Sequence, residues 1–322
     1  RAQLQELQFE VDVMKETIAV LKKDPGIDQT VLKNREKAVI IDALKGKYTL
    51  PMLLSRFNMA KSSYYYQRTV MNKPDKYVSC RAQITSIFQE NRGVYGYRRI
   101  YLALKREGVI LSEKIIRRIM KEEELIVLLS QKRKYSSYLG EITPEVENIV
   151  SRDFHADQPY EKLLTDITEF SIPSGKLHLS AMIDCFDGMV VGWTIGIRPN
   201  ADLVNTMLDQ VIAELPEGCH PIVHSDRGCH YRWPGWIERM NGAGLIRSMS
   251  KKGCSPDNAA CEGFFGRLKN EMFYGRSWEK VSLDDSRQEI DHYINWYNHK
   301  RIKLSLGGLS PIEYGHHLGF AA

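Results

Sequence analysis

The spacing of apolar residues changes character once along this chain, and that change limits the folds open to it. Up to about residue 138 the apolar positions recur at helical spacing; from 161 they run in short strand-like stretches. Strands are expected over Lys162–Phe170, Lys176–Asp184 and Met189–Ile197, divided by the turn signals Pro173-Ser174-Gly175 and Asp187-Gly188. A helix over Ala201–Leu215, a strand over Pro221–Asp226, a helix around Ile237–Asn241, a strand over Ile246–Met249 and a helix over Asn258–Tyr274 follow. Three successive strands and then alternating helices and strands describe an α/β layer around a mixed sheet. A last helix, about 283–298, runs into the basic tail His299-Lys300-Arg301-Ile302-Lys303.

The helical half is itself divided. Leu4, Leu7, Val11, Met14, Ile18 and Leu21 are spaced alternately by three and four, as in a coiled coil, with β-branched Val11 and Ile18 at a positions. That pattern favours parallel pairing of two chains over 1–24, and Glu10 is placed to reach Lys15 of a partner helix. An amphipathic helix docked on its own chain fits the same spacing. After Pro25-Gly26, helices are expected over Val31–Leu44, Leu50–Asn58 and Lys61–Arg68; the last two make a helix-turn-helix outline within 31–70. A second outline occupies 77–125: a helix over 77–91, one over 97–107, and one over Ser112–Glu124 capped by Ser112. Lys114, Arg117, Arg118 and Lys121 line the polar side of that last helix, which suits a DNA groove. Residues 126–160 lack a strong period, carry Lys132-Arg133-Lys134, and read as a basic linker.

Charge follows the same division. Within 31–138 there are 23 Lys and Arg against 9 Asp and Glu, whereas 151–322 holds 18 against 22. A basic part joined to a mildly acidic one points to a nucleic-acid-binding region attached to a region with another task. No apolar run reaches the roughly 18–20 residues that span a bilayer, so no membrane segment is expected. The six cysteines form no C-x-x-C pair, which argues against a zinc knuckle and for reduced thiols in a cytosol. The chain opens on Arg1 without an export pattern and reads as a fragment of a longer product.

Three acids stand out by position. Asp166 lies inside the apolar run Leu163–Thr168, where an acid is costly unless paired or metal-bound. Asp226 closes the strand Ile222–Ser225, at a strand end where ligands of α/β sheets gather. Glu262 follows after 35 intervening residues, near the start of a helix. Three hard oxygen ligands at one sheet edge suit Mg²⁺. His224 and Ser225 do not make a serine hydrolase, because no Gly-x-Ser-x-Gly elbow surrounds Ser225. His224 and His230 are expected in packing or phosphate contact rather than on the metal.

With these residues in place, 161–315 resembles the catalytic core of retroviral-integrase-type transposases, a ribonuclease H-like fold. The wording is closest to the insertion-sequence-three (IS-three) family: Thr165-Asp166-Ile167-Thr168, His224-Ser225-Asp226-Arg227-Gly228, Ser255-Pro256-Asp257-Asn258-Ala259-Ala260-Cys261-Glu262, Leu268-Lys269-Asn270-Glu271, and Tyr297-Asn298-His299-Lys300-Arg301 followed by Leu309-Ser310-Pro311. Tyr95-Gly96-Tyr97-Arg98-Arg99-Ile100 resembles the family's second DNA-binding helix-turn-helix, and the heptads its zipper; the helix-turn-helix before the zipper is missing.

The resemblance implies a core over 161–280, a C-terminal helix and basic tail over 281–322, and cutting and joining of DNA by two Mg²⁺ ions on Asp166, Asp226 and Glu262, with Mn²⁺ as a substitute. It implies nicking of one element end, attack by its 3′-OH near the other, and a circle that later integrates. The expected partners are double-stranded terminal repeats, target DNA and a second copy of the chain. Expected DNA contacts are Arg98, Arg99, Lys114, Arg117, Arg118, Lys132, Arg133, Lys134, Arg227, Lys269, Lys300 and Arg301. A ribonuclease H-type or junction nuclease would share the metals but has no need of a zipper and two helix-turn-helix units.

Overall fold

The computed structural model describes residues 2–23, 32–73, 75–127, 146–251 and 255–320, which divide into two compact units meeting between Val78 and Ser79. In the first unit, α1 (Ala2–Lys23) is followed by α2 (Asn34–Leu44), α3 (Leu50–Arg56) and α4 (Lys61–Met71). Its core gathers Phe9 and Val13 of α1 with Ala38, Ile40, Ile41, Leu44, Leu53, Phe57, Met59 and Tyr64. Between α3 and α4 the chain turns through Asn58 at φ 44°, a left-handed conformation that asparagine tolerates. Buried Tyr64 pins α4 by donating to Asp42 at 2.7 Å, which leaves the adjacent Tyr65 and Tyr66 exposed.

Helix α1 is apolar on two sides. Phe9 and Val13 face its own unit, half a turn away from Leu4, Leu7, Val11, Met14 and Ile18, which are 39–74% exposed. The side chain of Leu21 lies outside the described ones. Glu10 does not wait for a partner helix: it forms a two-pronged bond with Arg56 at 2.7 and 2.8 Å. The corrected reading is an intrachain pair, because Arg56 at the end of α3 reaches the α1 face beside the heptad stripe.

The second unit opens with α5 (Val78–Glu90), α6 (Tyr97–Arg106) and α7 (Glu113–Glu122). Ser112 caps α7, as its position suggested, with its hydroxyl accepting from Ile115 N. The sheet comprises β1 (Lys162–Ile172), β2 (Gly175–Asp184), β3 (Val190–Gly196), β4 (Ile222–Ser225) and β5 (Ile246–Met249) in the order β3-β2-β1-β4-β5. The first three strands are antiparallel; β4 and β5 join in parallel beside β1. Helices α8 (Ala201–Glu214) and α9 (Pro234–Gly242) cover one face, while α10 (Ala259–Leu268) and α11 (Leu283–His299) cover the other. This three-layer order is the ribonuclease H-like fold. Packing of α8 on β3 is so close that a Cβ at Gly192 would lie 2.3 Å from Val211 Cγ2.

Three features depart from expectation. The helix expected over Asn258–Tyr274 is α10 followed by one wide turn of π-helix, Lys269–Phe273. An unforeseen α12 (Pro311–His317) is closed by a capping box between Ser310 and Glu313. From 146 to 160 the expected linker is no free tether: Met249 N donates to Glu147 O and Ile149 N to Ser248 Oγ, so the segment docks along β5. Lys132, Arg133 and Lys134 lie outside the described residues.

The basic tail is also corrected. Arg301 is 2% exposed and grips Glu271 of the π-helix with two guanidinium nitrogens, while Tyr293 OH donates to the same carboxylate at 2.8 Å. Lys303 donates to the Asp187 carbonyl. Around them, Tyr95 OH accepts from Ile302 N at 2.8 Å and donates to Lys300 O at 3.1 Å; Arg99 Nε donates to Ile302 O at 2.9 Å. Arg106 binds Gly308 O and Glu313. The second helix-turn-helix and the tail therefore belong to one body with the sheet. Removing Arg301 strands a buried carboxylate, so Arg301→Ala is expected to lower the unfolding free energy by about 3–5 kcal/mol in denaturant titrations. Lys300→Ala, at an exposed neighbour, is expected to stay within about 0.5 kcal/mol.

Candidate active site

Parallel pairing sets the first two acids side by side. Thr165 of β1 is opposite Ser225 of β4, so Asp166 and Asp226 follow at the same level on neighbouring strands. Asp226 Oδ1 accepts from Gly228 N at 2.8 Å, and a Cβ on Gly228 would sit 2.8 Å from that same oxygen. Glycine is required there by close approach, since any side chain would swing the carboxylate away. Asp166 Oδ1 accepts from Ile167 N at 2.7 Å and its Oδ2 from Asn258 Nδ2 at 3.0 Å. Burial, and next the Asp226 charge, push the Asp166 carboxyl up to about 7; burial also raises Asp226.

Glu262 lies in the first turn of α10, exposed, and its charge adds to the rise at Asp166. Among the described residues no three His, Cys, Asp or Glu side chains converge into a ready-made metal cage. The two aspartates are tied to N–H donors and Glu262 stands apart, the arrangement that like charges favour. The donor chemistry nevertheless fits magnesium: hard carboxylate oxygens on a like-charged, half-buried pair.

The surroundings fix this edge. His224 is buried with Nδ1 2.9 Å from Ser248 Oγ and Nε2 3.2 Å from Ser250 Oγ, so both ring nitrogens serve packing. Ser225 Oγ donates to the Asp226 carbonyl, and His230 Nε2 lies 2.7 Å from Pro199 O. Buried Asp257 accepts from Arg152 Nε at 2.6 Å, Asn148 Nδ2 at 2.9 Å and Lys251 N at 2.9 Å, anchoring the entry to α10. Half-buried Lys269 holds Nζ 5.4 Å from the centre of the Phe170 ring; desolvation lowers its pKa.

Sequence comparison places these residues in a family. The profile described as integrase core domain matches 156–255 and 262–318, and that of an HTH-like domain matches 80–135. The transposase InsK assigned to insertion sequence element IS150 of Escherichia coli K12 is 40% identical over 275 residues, covering 85% of this chain and 96% of that protein. The chain belongs to the IS-three family of insertion-sequence transposases. Another family member, assigned to element IS1353 of Shigella flexneri, is 52% identical over 318 residues; the match covers 99% of this chain and 62% of that protein's length. The InsF transposase of insertion sequence IS3A from Escherichia coli K12 is 28% identical over 283 residues, covering 86% of this chain and 98% of it.

Within this transposase fold the expected DNA-contacting residues separate into groups. Arg98, Lys114, Arg117 and Arg118 are exposed on α6 and α7, with the Arg98 and Arg117 guanidiniums 5.6 and 5.0 Å from the Tyr97 ring centre. Arg227 and Lys269 are half-buried near the acids, and Lys300 is exposed. Arg99 is half-buried on Ile302 O, and Arg301 is consumed by Glu271, so the latter is withdrawn as a DNA contact. Sequence reasoning missed Gly228, Arg152 and the Asn258 side chain as parts of the site. For Asn258 the signal was its place immediately before a helix carrying an acid.

A carboxyl group whose pKa is raised on folding binds more protons in the folded state, so its support of the fold is present at low pH and is lost as pH rises from about 4 to about 7. Asp166→Asn is therefore expected to raise the metal-free thermal midpoint above pH 7 and to leave it nearly unchanged at pH 4. Calorimetry in chelator at the two pH values checks this.

Proposed function

We propose that the chain nicks the ends of an insertion sequence and joins them to new DNA, using Asp166, Asp226 and Glu262 as ligands for two magnesium ions. The supporting observation is the pair of half-buried aspartates that the register of β1 and β4 sets at one level, each raising the other's cost of ionisation. Bound magnesium supplies an activated water or hydroxyl and offsets charge on the leaving oxygen. The protein's part is orientation. Gly228 N and Asn258 Nδ2 aim the aspartates, Asp257 fixes the start of the Glu262 helix, and Lys269 is near enough for a phosphate.

DNA itself would be held by the basic faces of the helical regions. Arg98, Lys114, Arg117, Arg118 and Lys121 on α6 and α7 form one; exposed Tyr65 and Tyr66 of α4, in a segment 32–78 with ten Lys and Arg against three Asp and Glu, form another. Asp166→Asn, Asp226→Asn and Glu262→Gln are each expected to reduce nicking and joining of labelled terminal repeats at least a hundredfold while gel-shift affinity holds. Retention of more than a few per cent of activity by any one removes that acid from the site. Manganese is expected to replace magnesium, and chelator to stop both steps.

The outward stripe of α1 would pair two copies in parallel. Its support is the three-four spacing with β-branched a positions, together with exposure of Leu4, Leu7, Val11, Met14 and Ile18 on a helix whose opposite side is already packed. Replacing Leu7 and Ile18 with Asp is expected to abolish association in light scattering and joining of paired ends, with nicking of single ends retained. Unchanged mass and joining would rule the pairing out.

A further inference from the structure

Asn258 stands at the N-cap of α10, where an asparagine ordinarily uses its oxygen to accept from a first-turn amide. Here it makes no such cap. Its side chain is buried, turned instead so that Nδ2 donates to Asp166 Oδ2 at 3.0 Å. With Asp166 ionised, as a metal ligand is, its oxygen only accepts, and the amide turns Nδ2 toward it. That turn leaves Asn258 Oδ1 buried and, among the described residues, without a hydrogen-bond donor. A group that forfeits its local bond and ends up unsatisfied beside a reactive carboxylate is the kind of local cost that folds carry at functional sites.

We propose that Asn258 is a positioning residue of the active site, holding Asp166 through Nδ2 and keeping Oδ1 as the acceptor for an O–H group that arrives with cation and DNA. The inference rests on the reading of Asp166 as a metal ligand. The donor is either a water carried by the divalent ion or the 3′-hydroxyl of the DNA end; both present the same O–H to the same oxygen. The amide thus serves two functions at once. It restrains one carboxylate oxygen so that the ligand set need not reorganise, and it orients the proton of the incoming hydroxyl.

Manganese titration of the whole 322-residue chain, followed by electron paramagnetic resonance, tests this with Asn258→Leu, which keeps the volume and removes both polar atoms. Asn258→Ala serves as a second variant should leucine not fit, and Asp166→Asn as the control for the underlying site. Both Asn258 variants are expected to bind Mn²⁺ about tenfold or more weakly, the usual effect of removing a residue that orients a metal ligand. The leucine variant is expected to melt no lower than wild type, since it removes an unsatisfied buried oxygen and no cap. Repeating the titration with DNA ends terminated in 3′-OH or 3′-deoxy assigns the donor. A defect that deepens only with the hydroxyl identifies the DNA end, and an equal defect identifies a metal-borne water. Affinity within twofold of wild type in both variants, or a lowered melting point with unchanged affinity, overturns the proposal. Undiminished Mn²⁺ binding by Asp166→Asn overturns instead the metal-ligand reading beneath it.

Discussion

The parallel ladder between β1 and β4 is the constraint on which the rest of the catalytic unit depends. Its register, Leu163 with Val223 and Thr165 with Ser225, assigns Leu163 to the layer beneath α8 and α9 and Leu164 to the layer beneath α10 and α11. A slip by one residue would exchange those faces and turn both cores inside out. The same register delivers two acids to one end of the sheet. Apolar burial on both faces holds them there against their mutual repulsion, which is why the fold bears a carboxyl with so high a pKa.

Much of this was legible in the sequence because it is local. Alternation and turn residues located all five strands to within a residue or two, and Ser112 announced α7 through its cap. A local signal was also available for α12, in the spacing of Ser310 and Glu313, but its brevity hid it. What escaped is non-local. Charge counting cannot distinguish a cation facing water from one that meets Glu271 thirty residues earlier, so Arg301 looked like a phosphate ligand. Glu10 is a similar case, with Arg56 supplying the partner that a second helix was expected to supply.

The candidate site divides along the same line. Each acid was visible from its place in a local pattern: Asp166 inside an apolar strand, Asp226 just after one, and Glu262 in the first turn of a helix. Its supports were not visible, since Gly228 acts through the space it leaves empty and Asn258 through a bond spanning 92 positions. The π-helical turn adds one more concealed element: widening the helix after Leu268 brings Glu271 to Arg301 while α10 keeps its own face on the sheet.

The hold of the helix-turn-helix on the C-terminal segment is largely a hold on main chain. Tyr95, Arg99 and Arg106 address the carbonyls of Lys300, Ile302 and Gly308, together with the amide of Ile302. Such a joint is indifferent to most side-chain changes among those residues, so point mutations can accumulate in the segment without loosening it. It is defenceless against shortening. A premature stop anywhere from the start of α11 to Lys300 would remove every one of these acceptors in a single event, and with them the partner of Glu271, while the three acids remained in the chain. A chain that ends early would lose this architecture while Asp166, Asp226 and Glu262 stayed written in its sequence.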